Sequence, residues 1–321
     1  MVKKDAILKS LLYFQPTETY WRRVGNLPAV SHCKEAPGCY PLQMRIHMHR
    51  GHFPAFDEDG VPLYPDPNGS GYTYYVTTMA SYALGLWEEM VKCPGATEYE
   101  APFLAVVNRM MMCSTRESPG RAFRNLNFRT GRKGNLSAMS LGMAASVMLR
   151  AWRMTGEDRF REAALGVLGF FTHDIEDGGI VGRIGPERFP WYEEYPVPPF
   201  NHVLNGKIFS LWGLEELRRY TESHSADKCF NDGVESLKQL IHRFDTGYWS
   251  VYWIPGQTSR EYVASMMYHN LHILQLEILA EQTGEPLFSE MAQRFRHYAA
   301  NPVNRVRAVS AIMVSKLRLR R

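Results

Sequence analysis

The sequence has few cysteines and no long hydrophobic run. Its five cysteines are scattered over 321 residues and odd in number, which favours a reducing compartment over a disulfide framework. No stretch approaches the about 18 uncharged apolar residues of a transmembrane helix, and the N-terminal segment has neither the unbroken apolar stretch nor the cleavage site of a signal peptide. These absences predict a soluble, cytoplasmic protein.

An excess of one charge and the common cofactor motifs are also missing. The 37 Lys and Arg residues stand against 33 Asp and Glu, a formal net charge of +4, too small to indicate nucleic acid as the main partner. No Walker A loop, no Gly-x-Gly-x-x-Gly after a strand and no Gly-x-Ser-x-Gly elbow is present. We therefore expect no nucleotide cofactor and no serine hydrolase. The composition, 45% hydrophobic and 22% charged, is that of a folded globular protein.

Helical periodicity dominates the chain after an irregular beginning. Residues 1–73 are rich in Pro and Gly and include strand-like pieces such as 43–49, which predicts a wrap or a small β element. From Thr77 onward apolar residues recur at helical spacing. We divide the chain into an N-terminal irregular or β segment (1–73), a helical domain (74–300) and a basic C-terminal helix (301–321).

A helix-turn-helix unit repeats in the second half of the chain. Two apolar helices end in Thr-Gly-Glu, with Gly156 and Gly284 in the position of a left-handed C-cap. A third hairpin, with a longer turn, is predicted from Ile208 to Leu240. Several αα-hairpins with long polar and aromatic insertions predict a mainly α fold, an α/α toroid with loops around its cavity, in preference to an α-solenoid.

Basic residues are concentrated in a loop and at the C-terminus. The loop cations between residues 116 and 133 face only Glu117; they are Arg116, Arg121, Arg124, Arg129, Arg132 and Lys133. Because Arg forks fit carboxylates, residues 121–133 are a candidate clamp for a substrate carboxylate, with a solvated basic loop as the alternative. The C-terminal run is predicted to be an amphipathic helix docked on the helical domain, with contact to an anionic membrane surface as the alternative.

Several histidines have spacings that could suit a metal. His269 and His272 are three residues apart on a predicted helix, and His47 and His49 would share a strand face near His52. No nearby Cys or carboxylate completes either set, so we predict no metal. On the helix, Tyr268, His272 and Gln275 form one polar stripe, which should face a cavity or a partner because burying unsatisfied polar groups is costly.

Taken in order, the aromatic and polar segments resemble the catalytic helical domain of the D-glucuronyl C5-epimerases, which convert glucuronate to iduronate within heparan-type polysaccharides. The resemblance covers roughly residues 60–300. Its carriers are Trp-Tyr-Glu-Glu-Tyr-Pro at 191–196, Val-Leu-Asn-Gly at 203–206, Asp-Thr-Gly at 245–247 and Tyr-His-x-x-His at 268–272. The resemblance implies an isomerase that acts on an acidic polysaccharide without a cofactor.

Residue by residue, the resemblance implies four catalytic residues: Glu194, Tyr195, Tyr252 and Tyr268. The candidates for substrate binding are Arg121, Arg124, Arg129, Arg132, Lys133, Tyr74, His202, Asn205, His269 and His272. Inverting C5 requires removal of the proton α to a carboxylate and return of a proton to the opposite face. We assign Glu194 and Tyr268 to these two tasks, with Tyr195 and Tyr252 holding or relaying protons.

The same residues leave other functions open. A polysaccharide lyase shares the first proton abstraction and then expels the C4 substituent. A glycoside hydrolase on the same fold would use two carboxylates. A glycan- or protein-binding toroid without catalytic activity would keep the aromatic residues but tolerate loss of Tyr268. A homodimer is compatible with all of these interpretations.

Overall fold

A computed structural model describes residues 22–24, 37–48, 52–66, 69, 71–127, 129–131, 133–256 and 262–318. It is mainly helical with small sheets, which confirms the predicted helical class; the toroid stays a prediction. The chain divides into two compact units. We call them the central unit (Val24–Val197 and Phe209–Val234) and the C-terminal unit (Met1–Arg23, Pro198–Ile208 and Glu235–Arg321). The predicted segment limits 1–73, 74–300 and 301–321 also stay predictions.

Helices and hairpins build the central unit. Its helices are α1 (Val76–Lys92), α2 (Glu100–Met112), α3 (Ala138–Thr155), α4 (Asp158–Gly166), α5 (Leu168–Thr172) and the greater part of α6 (Leu204–Thr221) and α7 (His224–Leu240). Its strands are β1 (Ala55–Phe56), β2 (Pro62–Pro65), β3 (Tyr72–Tyr74), β4 (Ser114–Glu117), β5 (Gly120–Phe123), β6 (Leu126–Asn127), β7 (Val181–Ile184) and β8 (Phe189–Tyr192). The first three strands and β6 form one antiparallel sheet, while β4 pairs with β5 and β7 with β8.

The predicted αα-hairpins are present. Helix α3 ends at Gly156, whose φ of 73° places it in the left-handed region, and α4 begins two residues later. The hairpin of α6 and α7 is also formed, but its predicted longer turn is wrong. Only Glu222 and Ser223 separate the two helices. Glu222 itself adopts the left-handed conformation, with a φ of 57°, so this turn is as short as the glycine-capped ones.

The predicted strand at 43–49 is wrong over the residues that the structure describes. Residues Arg45–Met48 form a 3₁₀ turn. The buried carboxylate of Glu88, on α1, accepts hydrogen bonds from the backbone N–H groups of Met44 at 2.8 Å and of Arg45 at 3.2 Å. These amides are therefore not available for a strand ladder. His49 lies outside the described residues, and His47 instead contacts His52, with Nδ1 3.0 Å from Nε2.

The C-terminal unit combines a small sheet with helices. Its strands β9 (Asn201–Val203), β10 (Val251–Pro255) and β11 (Tyr262–Val263) pair antiparallel in the order β11-β10-β9. Its helices include α8 (Met266–Thr283), α9 (Pro286–Ala300) and α10 (Pro302–Arg318), with α8 and α9 joined through the left-handed Gly284. Ala308 and Ile312 of α10 pack in a core cluster with Trp249 and Val263. In the part of the chain that is described, no helix has the length and apolarity needed to cross a bilayer.

Close backbone contact between α3 and α6 tests the packing of the central unit. A Cβ on Gly142 would lie 2.8 Å from the Cα of Ser210, and a Cβ on Gly213 would collide with the carbonyl oxygen of Gly142. Helix propensity alone predicts that Gly213→Ala stabilises the protein by about 1 kcal/mol. We expect the opposite sign, a loss of about 1–3 kcal/mol, because overpacked helices must separate.

Urea unfolding of Gly213→Ala measures this change, with Ser310→Ala on the exposed face of α10 as the control. A gain in the free energy of unfolding for Gly213→Ala would contradict the close helix contact.

Candidate active site

Glu194 follows a rigid hairpin of the central unit. Trp191 and Tyr192 of β8 are buried, and the Tyr192 hydroxyl donates a hydrogen bond to the Cys229 carbonyl at 2.5 Å. The backbone of Glu193 continues the pairing, since its N–H donates to the Ile180 carbonyl at 3.0 Å. Its carbonyl accepts from the N–H of Ala138, the first residue of α3, at 2.9 Å. Two elements therefore fix the backbone just before Glu194.

Glu193 and Glu194 occupy different environments. The side chain of Glu193 is fully buried and lies against the backbone of Gly182 on β7, where a Cβ would collide with Glu193 Oε1. A side chain at position 182 would therefore have to displace the buried Glu193 carboxylate, which favours glycine there. Glu193 is thus part of the support of the hairpin, and the neighbouring Glu194 is the residue that the sequence predicts to be catalytic.

The carboxyl group of Glu194 is poised for proton transfer near neutral pH. Burial raises its pKa to about 7, an effect that a hydrogen bond with Tyr195 partly offsets. Oε2 of Glu194 has no hydrogen-bond partner within the described residues. Tyr195 itself is 51% exposed, whereas Glu194 is 8% exposed. A carboxyl group with a pKa near the ambient pH can both accept and donate a proton.

Two of the predicted catalytic tyrosines meet in the C-terminal unit. The rings of Tyr252, on β10, and Tyr268, on α8, have centroids 4.5 Å apart and are inclined by 56°. Ser265 caps α8, and its hydroxyl oxygen accepts the backbone N–H of Tyr268 at 3.4 Å. Tyr268 therefore lies in the first turn of its helix, where the cap holds the backbone.

Two residues of the polar stripe of α8, His272 and Gln275, are fully buried, and Tyr268 is partly buried. His272 Nε2 and Gln275 Oε1 have no hydrogen-bond partner within the described residues. Gln275 is fully buried, and its Nε2 donates to the backbone carbonyl of Asn205 at 3.1 Å. His202 is buried on β9 in register with Ile254 of β10. His269 and His272 are fully buried as well. Four predicted substrate-binding residues, His202, Asn205, His269 and His272, therefore lie in the C-terminal unit together with the tyrosine pair.

Several predicted substrate-binding residues make contacts within the protein. The Tyr74 hydroxyl donates a hydrogen bond to Asp57 at 2.6 Å. Burial and this hydrogen bond raise the pKa of Tyr74. The Arg109 guanidinium lies over the Tyr74 ring. Tyr74 is 3% exposed. Its place in the fold is therefore that of a scaffold residue of the central unit.

The basic loop is partly neutralised by its own neighbours. Arg124 pairs with Glu117 across 2.5 Å, and Arg121 donates to the Ser114 hydroxyl at 2.8 Å. Burial and the neighbouring Arg116 lower the pKa of Arg121. Arg129 and Lys133 are exposed, and Arg132 lies outside the described residues. Within the described part of the loop, Arg129 and Lys133 are thus the more exposed candidates for a substrate clamp, whereas Arg121 and Arg124 are held by protein contacts.

Ser250 and Lys207 are polar residues of the site region that were not predicted from the sequence. Both side chains are fully buried in the C-terminal unit. For Lys207 the sequence signal of burial is a cation directly before the apolar pair Ile208 and Phe209 inside a helix.

For metal binding, no group of three or more His, Cys, Asp or Glu with suitable geometry occurs within the described residues.

The sequence of this chain matches a known protein family over the segments that contain the site residues. A sequence model of the family described as "D-glucuronyl C5-epimerase C-terminus" matches residues 122–297, a range that contains both Glu194 and the tyrosine pair. The match extends over more than half of the chain. The chain belongs to this epimerase family.

The chain matches only part of the length of each individual relative. The chain is 30% identical over 177 residues to a D-glucuronyl C5-epimerase of Caenorhabditis elegans, a match that spans 51% of this chain and 28% of that protein. It is 25% identical over 166 residues to an uncharacterised protein of Methanocaldococcus jannaschii, spanning 51% of this chain and 52% of the relative. The chain thus spans about half or less of the length of these curated relatives.

A solved structure shares the fold at low identity. The crystal structure of a D-mannose isomerase has a TM-score of 0.53 and 10% sequence identity, and the match covers 92% of this chain and 69% of that one. At this identity the similarity concerns the fold alone.

The raised pKa of Glu194 predicts how stability depends on pH. Because the folded state holds this proton more tightly than the unfolded chain, the contribution of Glu194 is fully present below pH 4.5 and is lost as the pH rises towards 7. Glu194→Gln replaces the carboxyl group by an amide that does not ionise, so the variant does not lose this stability as the pH rises. We expect the free energy of unfolding of the variant, relative to wild type, to rise by up to roughly 3 kcal/mol between pH 4.5 and pH 7.

Urea unfolding at several pH values measures this difference. Glu290→Gln, which changes an exposed glutamate of α9, serves as the control. A difference between Glu194→Gln and wild type that stays constant across this range would mean that Glu194 is ionised normally in the folded protein.

Proposed function

We propose that the chain is a cofactor-independent epimerase that inverts C5 of D-glucuronate to L-iduronate in an acidic polysaccharide. Membership of the epimerase family supports the reaction class. The observation that carries the proposal is the buried Glu194, whose pKa of about 7 suits it to exchange a proton at neutral pH. Its hydrogen bond with the half-exposed Tyr195 supplies a neighbouring hydroxyl.

The reaction requires two acid/base groups, and the two candidates differ in their chemistry. In its ionised form, Glu194 can remove the C5 proton, which lies α to the substrate carboxylate. A phenol ordinarily titrates near pH 10, so Tyr268 is suited to return a proton from its neutral form. Its close neighbour Tyr252 can then replenish that proton. In the reverse reaction the two groups exchange roles.

The negative charge of the substrate also needs partners. A developing enediolate is stabilised by fixed cations and hydrogen-bond donors. We propose that Arg129 and Lys133 of the basic loop contribute to this task, because both are exposed, whereas Arg124 is paired with Glu117 and Arg121 is hydrogen-bonded to Ser114. The proposal includes a cytoplasmic location, which the scattered cysteines of the sequence favour, and it is compatible with a homodimer.

The tyrosine pair provides a direct test of catalysis. We expect Tyr252→Phe and Tyr268→Phe each to lower turnover of a glucuronate-containing heparan-type polymer by at least about 100-fold, the usual contribution of a positioned acid or base. The melting temperature should change little, since the rings remain. Tyr64→Phe, which removes the hydroxyl of a half-exposed tyrosine on β2, is the control. A destabilised Tyr268→Phe with normal specific activity would make Tyr268 a packing residue.

Proton exchange in deuterated water tests the division of labour. A base can take the C5 proton only from the side that it occupies, so each base should serve one configuration. We therefore expect Glu194→Gln and Tyr268→Phe to lose net inversion but to retain C5 exchange on opposite substrates, glucuronate polymer for one variant and iduronate polymer for the other. NMR of the two polymers measures the exchange.

Equal loss of exchange on both polymers in both variants would contradict this assignment. An unsaturated product with ultraviolet absorbance would identify a lyase, and release of shorter saturated chains would identify a hydrolase. Binding without any turnover would indicate a glycan-binding protein.

A further inference from the structure

Ser250 and two histidines of α8 form a buried hydrogen-bonded cluster in the C-terminal unit. All three side chains are completely buried. The Ser250 Oγ lies 2.8 Å from Nδ1 of His269 and 3.0 Å from Nδ1 of His272. One hydroxyl therefore joins the residue before β10 to two positions, three residues apart, on the same helix face.

The partners of His269 determine the direction of these hydrogen bonds. Its Nε2 lies 2.9 Å from the carbonyl oxygen of Phe295 on α9, which can only accept, so Nε2 carries the hydrogen and Nδ1 accepts. This Nδ1 accepts from the Ser250 backbone N–H at 3.2 Å and can also accept from the Ser250 hydroxyl. The hydroxyl oxygen can in turn accept from Nδ1–H of His272. Burial lowers the pKa of His269 to about 3 and that of His272 well below its usual value. Both rings are therefore neutral near neutral pH.

Trp249 completes the attachment of β10 to α8. Its indole stacks on the His269 ring, with centroids 3.8 Å apart and an interplanar angle of 12°. The indole Nε1 donates to the Ala264 carbonyl at 2.9 Å, and the Ala264 N–H donates to the Ser250 carbonyl at 2.9 Å. The backbone at Ser250 is thus held by a ring contact and by hydrogen bonds from two directions.

The cluster lies next to the tyrosine pair along both elements. Ser250 precedes Tyr252 by two residues, and His269 directly follows Tyr268. A shift of Ser250 relative to His269 would move β10 along α8 and change the 4.5 Å spacing of the two tyrosine rings. Misplacement of a catalytic group by about 1 Å can lower a rate by about 100-fold.

We propose that Ser250, His269 and His272 are positioning residues that set the spacing of Tyr252 and Tyr268. His269 has no ring nitrogen left for a substrate, because both already contact protein atoms. His272 acts through Nδ1, while its buried Nε2 has no hydrogen-bond partner within the described residues. The effect of these residues on turnover rests on the function proposed above for the two tyrosines. Their effect on the distance between the two tyrosine rings is independent of that function.

The first experiment measures the spacing without any substrate. NMR of the full chain with selectively labelled tyrosine reports the nuclear Overhauser effect between the rings of Tyr252 and Tyr268. We expect Ser250→Ala to weaken it by at least about twofold, because the rings move apart, while the exposed control Ser310→Ala leaves it unchanged. An unchanged effect in folded Ser250→Ala overturns the proposal.

A pair of variants at His272 keeps the test decisive if Ser250→Ala does not fold. The amide of His272→Asn can replace the Nδ1 contact to Ser250, whereas His272→Leu fills similar space without it. We expect the ring-to-ring effect to be stronger in His272→Asn than in His272→Leu. Equal effects in these two variants would contradict positioning by this hydrogen bond.

The second experiment separates positioning from binding. We expect Ser250→Ala to lower kcat by about 10- to 100-fold with KM changed by less than about twofold. In a Tyr268→Phe background the same substitution should have no further effect, because it acts through Tyr268. A raised KM with normal kcat, or additive losses in the double variant, would overturn the proposal. If wild type turns over no uronate polymer, the proposed function fails, and the ring-spacing measurement still decides the structural part.

Discussion

A buried carboxyl group with few hydrogen bonds is the constraint on which the proposed chemistry depends. Glu194 lies where water no longer stabilises its charge, and the hydrogen bond with Tyr195 does not restore what burial removes. The cost of such a group has to be met by the surrounding structure. The hairpin of β7 and β8 and the start of α3 offset this cost, because their hydrogen bonds to Glu193 fix the backbone next to Glu194. The stability of these elements thus maintains a carboxyl group that would be ionised in water.

The two units solve the problem of buried polar groups differently. In the central unit, Arg150 is fully buried and makes two 2.8 Å hydrogen bonds to Glu216, so a charge is balanced by an opposite charge. In the C-terminal unit, Ser250, His269 and His272 are neutral and form a short series of hydrogen bonds. A neutral network places no net charge beside the tyrosine pair. The network can therefore fix the positions of Tyr252 and Tyr268 without shifting their pKa values. A buried ion pair in the same place would shift them.

Local sequence signals predicted the helices and the order of the functional segments. Gly156 and Gly284 end their helices in the left-handed conformation because only a residue without Cβ adopts it at low cost. The 3₁₀ turn at Arg45–Met48 could not be predicted, since it depends on the Glu88 carboxylate more than 40 residues away. The short turn at Glu222 was missed for a related reason, because a glutamate rarely occupies a left-handed position.

The same distinction between local and distant partners applies to the site. The family resemblance predicted Glu194, Tyr195, Tyr252 and Tyr268 as catalytic candidates. The motif could not show which neighbours bind substrate and which bind the protein, because that depends on contacts such as Tyr74 with Asp57. His269 illustrates the point, since it stands beside Tyr268 in the motif and yet bonds to Phe295 and Ser250 through its two ring nitrogens. A residue beside a proposed catalytic one in the sequence can therefore contribute through the geometry that it imposes, without itself contacting a substrate.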